Sequence, residues 1–240
     1  MIYAILGDIH ANLEALQAVI SDAKQQGADR FVCTGDIVGY NANPSECLAK
    51  INQLNCAFVK GNHDEYCSNR IPLSSFNPSA RDTIRWTRRQ LSLTEKRTLK
   101  QAPLVMDVEG FTLVHSSLYH PNQWNYILDI KSATDHFRNQ FNQICFIGHS
   151  HIPTAFVKNS RIQRGSFQSL TLQPENRYII NVGSVGQPRD LNPNAAYVLF
   201  NTIKSRIDLR RVAYDLHQTQ KKIRAAGLPF RNALRLDRGR

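Results

Sequence analysis

The sequence predicts an α/β fold in which a second, mixed β-sheet packs on a first one built from parallel neighbours. Three observations predict it. Near the start of the chain, short apolar runs at Ile2–Leu6, Arg30–Cys33 and Ala57–Val59 are separated by stretches with helical spacing of apolar residues. Each run stops at a polar turn next to a glycine: Gly7-Asp8, Gly35-Asp36 and Gly61-Asn62. From about residue 104 the pattern changes to strand-like runs joined by turn residues, which calls for a second sheet.

Ile2-Tyr3-Ala4-Ile5-Leu6 mixes β-branched and aromatic residues with almost no polar alternation, the signature of a buried strand. Asn12 is placed to cap the helix that follows, with Leu13, Leu16, Val19 and Ile20 on its apolar face and Gly27 closing it. After the strand at 30–33, Asn43-Pro44-Ser45-Glu46 reads as a helix start with Pro just inside, and Leu48, Ile51 and Leu54 form its buried face. Residues 65 to 103 lose the strand pattern and read as a helical insertion. Within it, 79–91 carries Ile84, Thr87 and Leu91 on one side and Arg81, Arg85, Arg88 and Arg89 on others, and Thr94-Glu95 opens a second helix ending before Pro103. Those arginines are either a solvated helix face or contacts to a substrate phosphate. Leu104–Val108, Glu109-Gly110 and Phe111–Val114 read as a hairpin that ends at His115. A helix over 131–141 precedes the strand Ile144–Ile147, which runs into Gly148-His149-Ser150-His151. Strand-like runs follow near 154–158, 169–172, 178–182, 196–200 and 207–212, and from Asp215 the chain is helical and basic. With no repeat, linker or composition break, residues 1–240 read as a single domain with an insertion at about 65–103 and a tail at about 215–240.

At 240 residues and 42% apolar composition the chain can bury a substantial core. No run is long enough to span a membrane, and Met1–Leu6 lacks the features of a secretory signal. Five irregularly spaced cysteines fit a reducing compartment, so a cytoplasmic protein is expected. The net charge of +11 favours anionic partners, although a solvated basic surface produces the same number.

Ligands of α/β sheets bind at the carboxyl ends of the strands. Asp8, Asp36 and Asn62 occupy that position, and His115, His149 and His151 stand at later strand ends. An isolated Asp or His there usually caps a turn or packs. Five such stretches in one chain point instead to a shared centre. Carboxylate, imidazole and amide donors, joined by His10, suit Mn, Fe or Zn rather than Ca or Mg. Two cations about 3.5–4 Å apart need an anionic bridge, and Asp36 is the candidate. His63 has no evident structural role and adjoins a ligand position, so it is a candidate acid, with the neighbouring Asp64 carboxylate to orient it.

The set Gly7-Asp8-Ile9-His10, Gly35-Asp36, Gly61-Asn62-His63-Asp64, His115 and Gly148-His149-Ser150-His151 resembles the calcineurin-like metallophosphoesterases in order and approximate spacing. Asn181–Asp190 and Ala225–Pro229 are similar to segments of the small bacterial phosphodiesterase-type members. The resemblance implies a four-layer αββα sandwich. It also implies that Asp8, His10, Asp36 and His151 hold one divalent metal and Asp36, Asn62, His115 and His149 a second. By the same likeness a hydroxide shared by the metals attacks phosphorus, and His63, oriented by Asp64, protonates the leaving oxygen. Asn62 would also contact the phosphate.

The chain departs from the family's protein phosphatases. Gly35-Asp36-Ile37-Val38-Gly39-Tyr40 lacks the phosphate-clamping Arg of their second motif, and Asp64 stands where Glu is usual. These departures disfavour a protein-phosphatase activity and make Tyr40 and the insertion candidate specificity elements. A hydrolase of small, nucleotide-like phosphodiesters or phosphoanhydrides is the leading expectation. A nuclease, favoured by the basic charge but lacking stacking aromatics among basic residues, and a non-catalytic scaffold are the alternatives. The oligomeric state is open.

Overall fold

The computed structural model describes residues 1–74, 76 and 78–240. β1 (Ile2–Leu6), β2 (Arg30–Cys33) and β3 (Ala57–Phe58) run parallel, linked by α1 (Leu13–Gln25) and α2 (Pro44–Gln53). Asn12 caps α1 as expected: its side chain accepts from Ala15 N at 3.1 Å. The insertion holds α3 (Asn62–Ser68), α4 (Pro78–Gln90) and α5 (Leu93–Gln101). On α4, Arg88 donates to the carbonyls of Tyr66 and Ile71 and Arg85 pairs with Asp82, so these two arginines serve the insertion itself.

β4 (Val105–Val108) and β5 (Phe111–Val114) form the expected hairpin, followed by α6 (Ile130–Arg138) and β6 (Ile144–Ile147). Then come β7 (Thr154–Lys158), β8 (Ile162–Gly165), β9 (Ser169–Thr171), β10 (Arg177–Asn181), β11 (Ala195–Asn201) and β12 (Arg206–Val212). The tail is two helices, α7 (Leu216–Ala225) and α8 (Phe230–Arg238), broken at Gly227 in the left-handed region.

The two six-stranded sheets have the orders β3-β2-β1-β11-β12-β9 and β4-β5-β6-β10-β7-β8. The later strands therefore do not all build the second sheet. β11 pairs antiparallel with β1, and β12 and β9 extend that first sheet. The reason is burial: Ala195–Phe200 is buried on both faces, which a central strand between two layers requires. Tyr3, Ile5, Val198 and Phe200 from one sheet meet Phe111, Phe146, Tyr178 and Ile180 from the other in the central core. The helices α1 and α2 cover the outside of the first sheet and α6 the outside of the second. This is the four-layer arrangement, and the carboxyl ends of β1, β2, β5 and β6 point the same way.

Candidate metal centre

Backbone bonds tie the strand-end loops together before any side chain takes part. Asp8 N donates to Gly35 O (3.0 Å), His10 N to Asp36 O (2.9 Å) and Gly148 N to His115 O (2.9 Å). Asp8, His10, Ala11, Asp36, Tyr40, His149 and His151 all have positive φ, between 48° and 68°. Non-glycine residues rarely adopt that conformation, and a concentration of them at one place marks a functional site. Two glycines make room: a Cβ on Gly61 would collide with the Asp36 carboxylate, and one on Gly148 with that of Asp8.

The side chains converge. The donor atoms of Asp8, His10 and His151 lie within 4.8 Å of one another, as do those of Asp36, His115 and His149. Asp36 Oδ2 stands between the groups, 3.6 Å from His10 Nε2 and 3.4 Å from His115 Nε2. Asn62 Oδ1 is 3.1 Å from His115 Nε2. The structure thus brings together all seven side chains that the sequence offers as candidate metal ligands.

The far nitrogens of three imidazoles face backbone carbonyls: His10 Nδ1 to Val38 O (3.1 Å), His115 Nδ1 to Thr34 O (2.9 Å) and His151 Nδ1 to Gln187 O (2.6 Å). A carbonyl only accepts, so each Nδ1 carries a proton, and Nε2 is the nitrogen left to face the centre as a ligand. His10 Nε2 and His151 Nε2 then face each other at 3.0 Å, with Asp8 Oδ1 3.2 Å from the latter. Acceptors that close need a proton or a cation between them. Among the described residues no Lys or Arg pairs with Asp8 or Asp36, whose side chains are 0% and 1% exposed. The donor set therefore fits divalent cations.

Without a cation, protons carry the strain. Burial raises the Asp8 carboxyl and lowers His10 and His151 well below the usual imidazole range. Burial alone would lower His115 too, but the Asp36 carboxylate, by charge and hydrogen bond, pushes it up to about 9.

His63 lies at the edge of the cluster. Its N–H donates to Asp36 Oδ1 at 2.8 Å, its ring is 4.9 Å from that of His10, and its Nδ1 is buried without a hydrogen-bond partner. The expectation that Asp64 orients this ring is corrected. The Asp64 carboxylate turns back to the loop after β2 and accepts from the amides of Asp36 (2.8 Å), Ile37 (2.9 Å), Val38 (3.2 Å) and Gly61 (3.0 Å). It fixes the loop that aims Asp36. Tyr40 does reach the site, its ring 4.4 Å from that of His63 and 4.6 Å from that of His10.

Three neighbours escaped the sequence reading. Tyr126 stacks on His149 with ring centroids 4.0 Å apart, Trp124 stands edge-on to His115 at 5.9 Å, and Arg189 Nη2 donates to the Tyr40 hydroxyl at 3.4 Å. Tyr126 and Trp124 sit in an irregular segment with no periodicity to flag them, and nothing in the stretch Asn181–Asp190 singles out Arg189 among the many basic residues.

The family model for the calcineurin-like phosphoesterase superfamily domain matches residues 1–205. The chain belongs to that superfamily. A metallophosphoesterase from Sphaerobacter thermophilus has a similar crystal structure, with 37% identity, a TM-score of 0.89 and coverage of 100% of this chain and 99% of that one. An uncharacterized protein of Methanocaldococcus jannaschii is 37% identical over 236 residues, 94% of this chain and 93% of its own. A hypothetical protein from Pyrococcus horikoshii shares the fold at 18% identity and a TM-score of 0.81, covering 100% and 98% of the two chains. Among the described residues no helix is long and apolar enough to cross a membrane.

Proposed function

We propose that this member of the superfamily is a phosphoesterase dependent on two divalent cations, hydrolysing phosphodiester or phosphoanhydride bonds of small, nucleotide-like substrates. The observation that supports it best is the mutual approach of ring nitrogens and buried carboxylates, with the imidazole tautomers set from behind by backbone carbonyls. Asp8, His10, Asp36 and His151 would hold one cation, and Asp36, Asn62, His115 and His149 the other. Bound there, divalent cations supply Lewis-acid charge and a water of lowered pKa. Asp64 keeps the Asp36 loop rigid, and Asp36 Oδ1 holds the backbone of His63.

His63 is the proton donor to the leaving oxygen. Burial holds it below the ordinary imidazole value while Asp36 opposes this, so the entering negative charge of a phosphate favours its protonated form. Asn62 and Tyr40 line the phosphate's approach. All five cysteines are buried and unpaired, which supports a reducing, cytoplasmic setting.

The test is a panel. Manganese-reconstituted protein is offered phosphomonoesters, aryl phosphodiesters, dinucleoside polyphosphates and single-stranded DNA, with metal content measured in parallel. Turnover of the small diesters or anhydrides with about two cations per chain supports the reading. Stoichiometric metal-free protein, or turnover confined to DNA, overturns it.

A further inference from the structure

Beside the metal centre stands a group of arginines that the proposed chemistry leaves unused. Tyr40 is its hub. Arg189 lies over the Tyr40 ring, its Cζ 5.7 Å from the centroid, and donates through Nη2 to the Tyr40 hydroxyl and to Gln187 Oε1 (3.0 Å). Its Nε is buried without a hydrogen-bond partner. From the other side, α8 docks on the same residue: Asn232 Nδ2 donates to Tyr40 O at 2.9 Å and to Thr83 Oγ1 on α4 at 3.1 Å. Arg231 and Arg235, on that helix, line with Tyr40 a cavity of about 100 Å³. The tail is pinned to the Arg189 segment by the bond from Leu191 N to Gly239 O at 2.9 Å.

Among the described residues no Asp or Glu side chain pairs with Arg189, Arg231 or Arg235, and the acceptor for Arg235 Nε is the backbone oxygen of Arg240 at 2.6 Å. Carboxylate pairing does occur where a partner is in reach, as for Arg210 with Asp22, Arg206 with Asp208 and Arg30 with Glu109, so what sets the three apart is their grouping around Tyr40 rather than the lack of a partner alone. Asp190, next in sequence to Arg189, is taken by Arg211. Burial and the nearby Arg189 lower the Arg235 pKa, so the cluster has a cost in the free protein. Guanidinium groups held unpaired around a tyrosine fit phosphate oxygens.

We propose that Arg189, Arg231 and Arg235 form a second anion subsite next to the metal centre, selecting substrates that carry a further phosphate beside the one attacked, as nucleoside and dinucleoside polyphosphates do. This rests on the phosphoesterase reading above and narrows it to phosphoanhydrides. In the hydrolysis, water oxygen bonds to the attacked phosphorus and the P–O bond to the next phosphate breaks. The departing oxygen keeps the bonding pair and takes the proton of His63, the proton lost by the attacking water passes to solvent, and the arginines hold the charge that remains on the departing phosphate.

The experiment is calorimetric binding of inorganic pyrophosphate and of orthophosphate to the manganese-loaded protein. Wild type is expected to prefer pyrophosphate by at least about tenfold, and R235Q and R189Q to lose most of that ratio. R231Q, at an exposed position, covers the case in which the other variants fail to fold. K204Q, in the exposed turn between β11 and β12 at the opposite end of the first sheet, keeps the ratio. A wild type without preference, arginine variants that keep it, or an equal loss in K204Q overturns the proposal. Hydrolysis of aryl diesters without a pyrophosphate preference sinks the subsite alone. A preference without hydrolysis of any phosphoester keeps the subsite and sinks the enzymatic reading.

Discussion

At the strand tips, the carboxylates of Asp8 and Asp36 are buried among imidazoles whose ring nitrogens face one another at distances near 3 Å. At the rim, Arg189 and Arg235 gather around Tyr40 with hydroxyl, amide and backbone oxygens as their acceptors. The first region crowds buried acceptor atoms that call for cations. The second has excess positive charge and calls for an anion. Tyr40 joins them, its ring against His63 and its carbonyl bonded to Asn232. A phosphate chain spanning the two would satisfy both, which neither region does alone.

The largest expected effect falls on the anionic side. Asp36→Asn removes the charge that both groups of donors share, so metal analysis should show loss of cation and steady-state rates should fall by at least about a thousandfold. Full metal content in that variant would break the comparison at its root. His63→Ala should leave the cations bound and slow substrates with poor leaving groups by about a hundredfold more than those with good ones. Equal slowing across leaving groups would remove His63 from the acid role.

Two buried histidines sharpen the electrostatic side. His115, facing Asp36, is pushed up to about 9, whereas His136 on α6, where burial acts with Arg177 and no carboxylate opposes them, is pushed down to about 3. His136 Nδ1 accepts from Leu118 N at 3.1 Å, which requires the neutral ring. Because the folded pKa lies below the ordinary 6.5, His136 contributes fully above pH 6.5 and its contribution is lost as pH falls from 6.5 towards 3. The loss should approach about 1.4 kcal/mol per pH unit within that window, and His136→Gln should flatten it in denaturant titrations. An unchanged slope would mean that His136 is charged in the fold. The smallest effect is expected for Asn232→Ala, which releases α8 from Tyr40 O and Thr83 and should cost about 1 kcal/mol. A cost near zero would show the rim helix to be held by its apolar face alone.

The strand-tip region was legible because its signals are local. Gly7-Asp8, Gly35-Asp36 and Gly61-Asn62 each place a donor two to four residues past a strand end, where the sheet geometry itself brings them together. Asp64 shows where proximity in sequence misleads: it adjoins His63, yet the N-terminal turn of α3 points its carboxylate at the amides after β2. The late strands mislead in the same way. Val198 and Phe200 read as part of a β-rich second half, but they pair beside β1 at the chain's start.

The amino-acid sequence alone determined the donor set, its order and the alternation of strand and helix that aims it, because each depends on a few adjacent residues and on backbone geometry. Tertiary structure decided which arginines, of the many in a basic chain, stand over Tyr40. Arg189 and Arg235 meet only because α8 folds back onto α4 and the loop after β2. No charge pattern along the chain records that contact, since a guanidinium looks the same in sequence whether it faces solvent, a carboxylate or an active site.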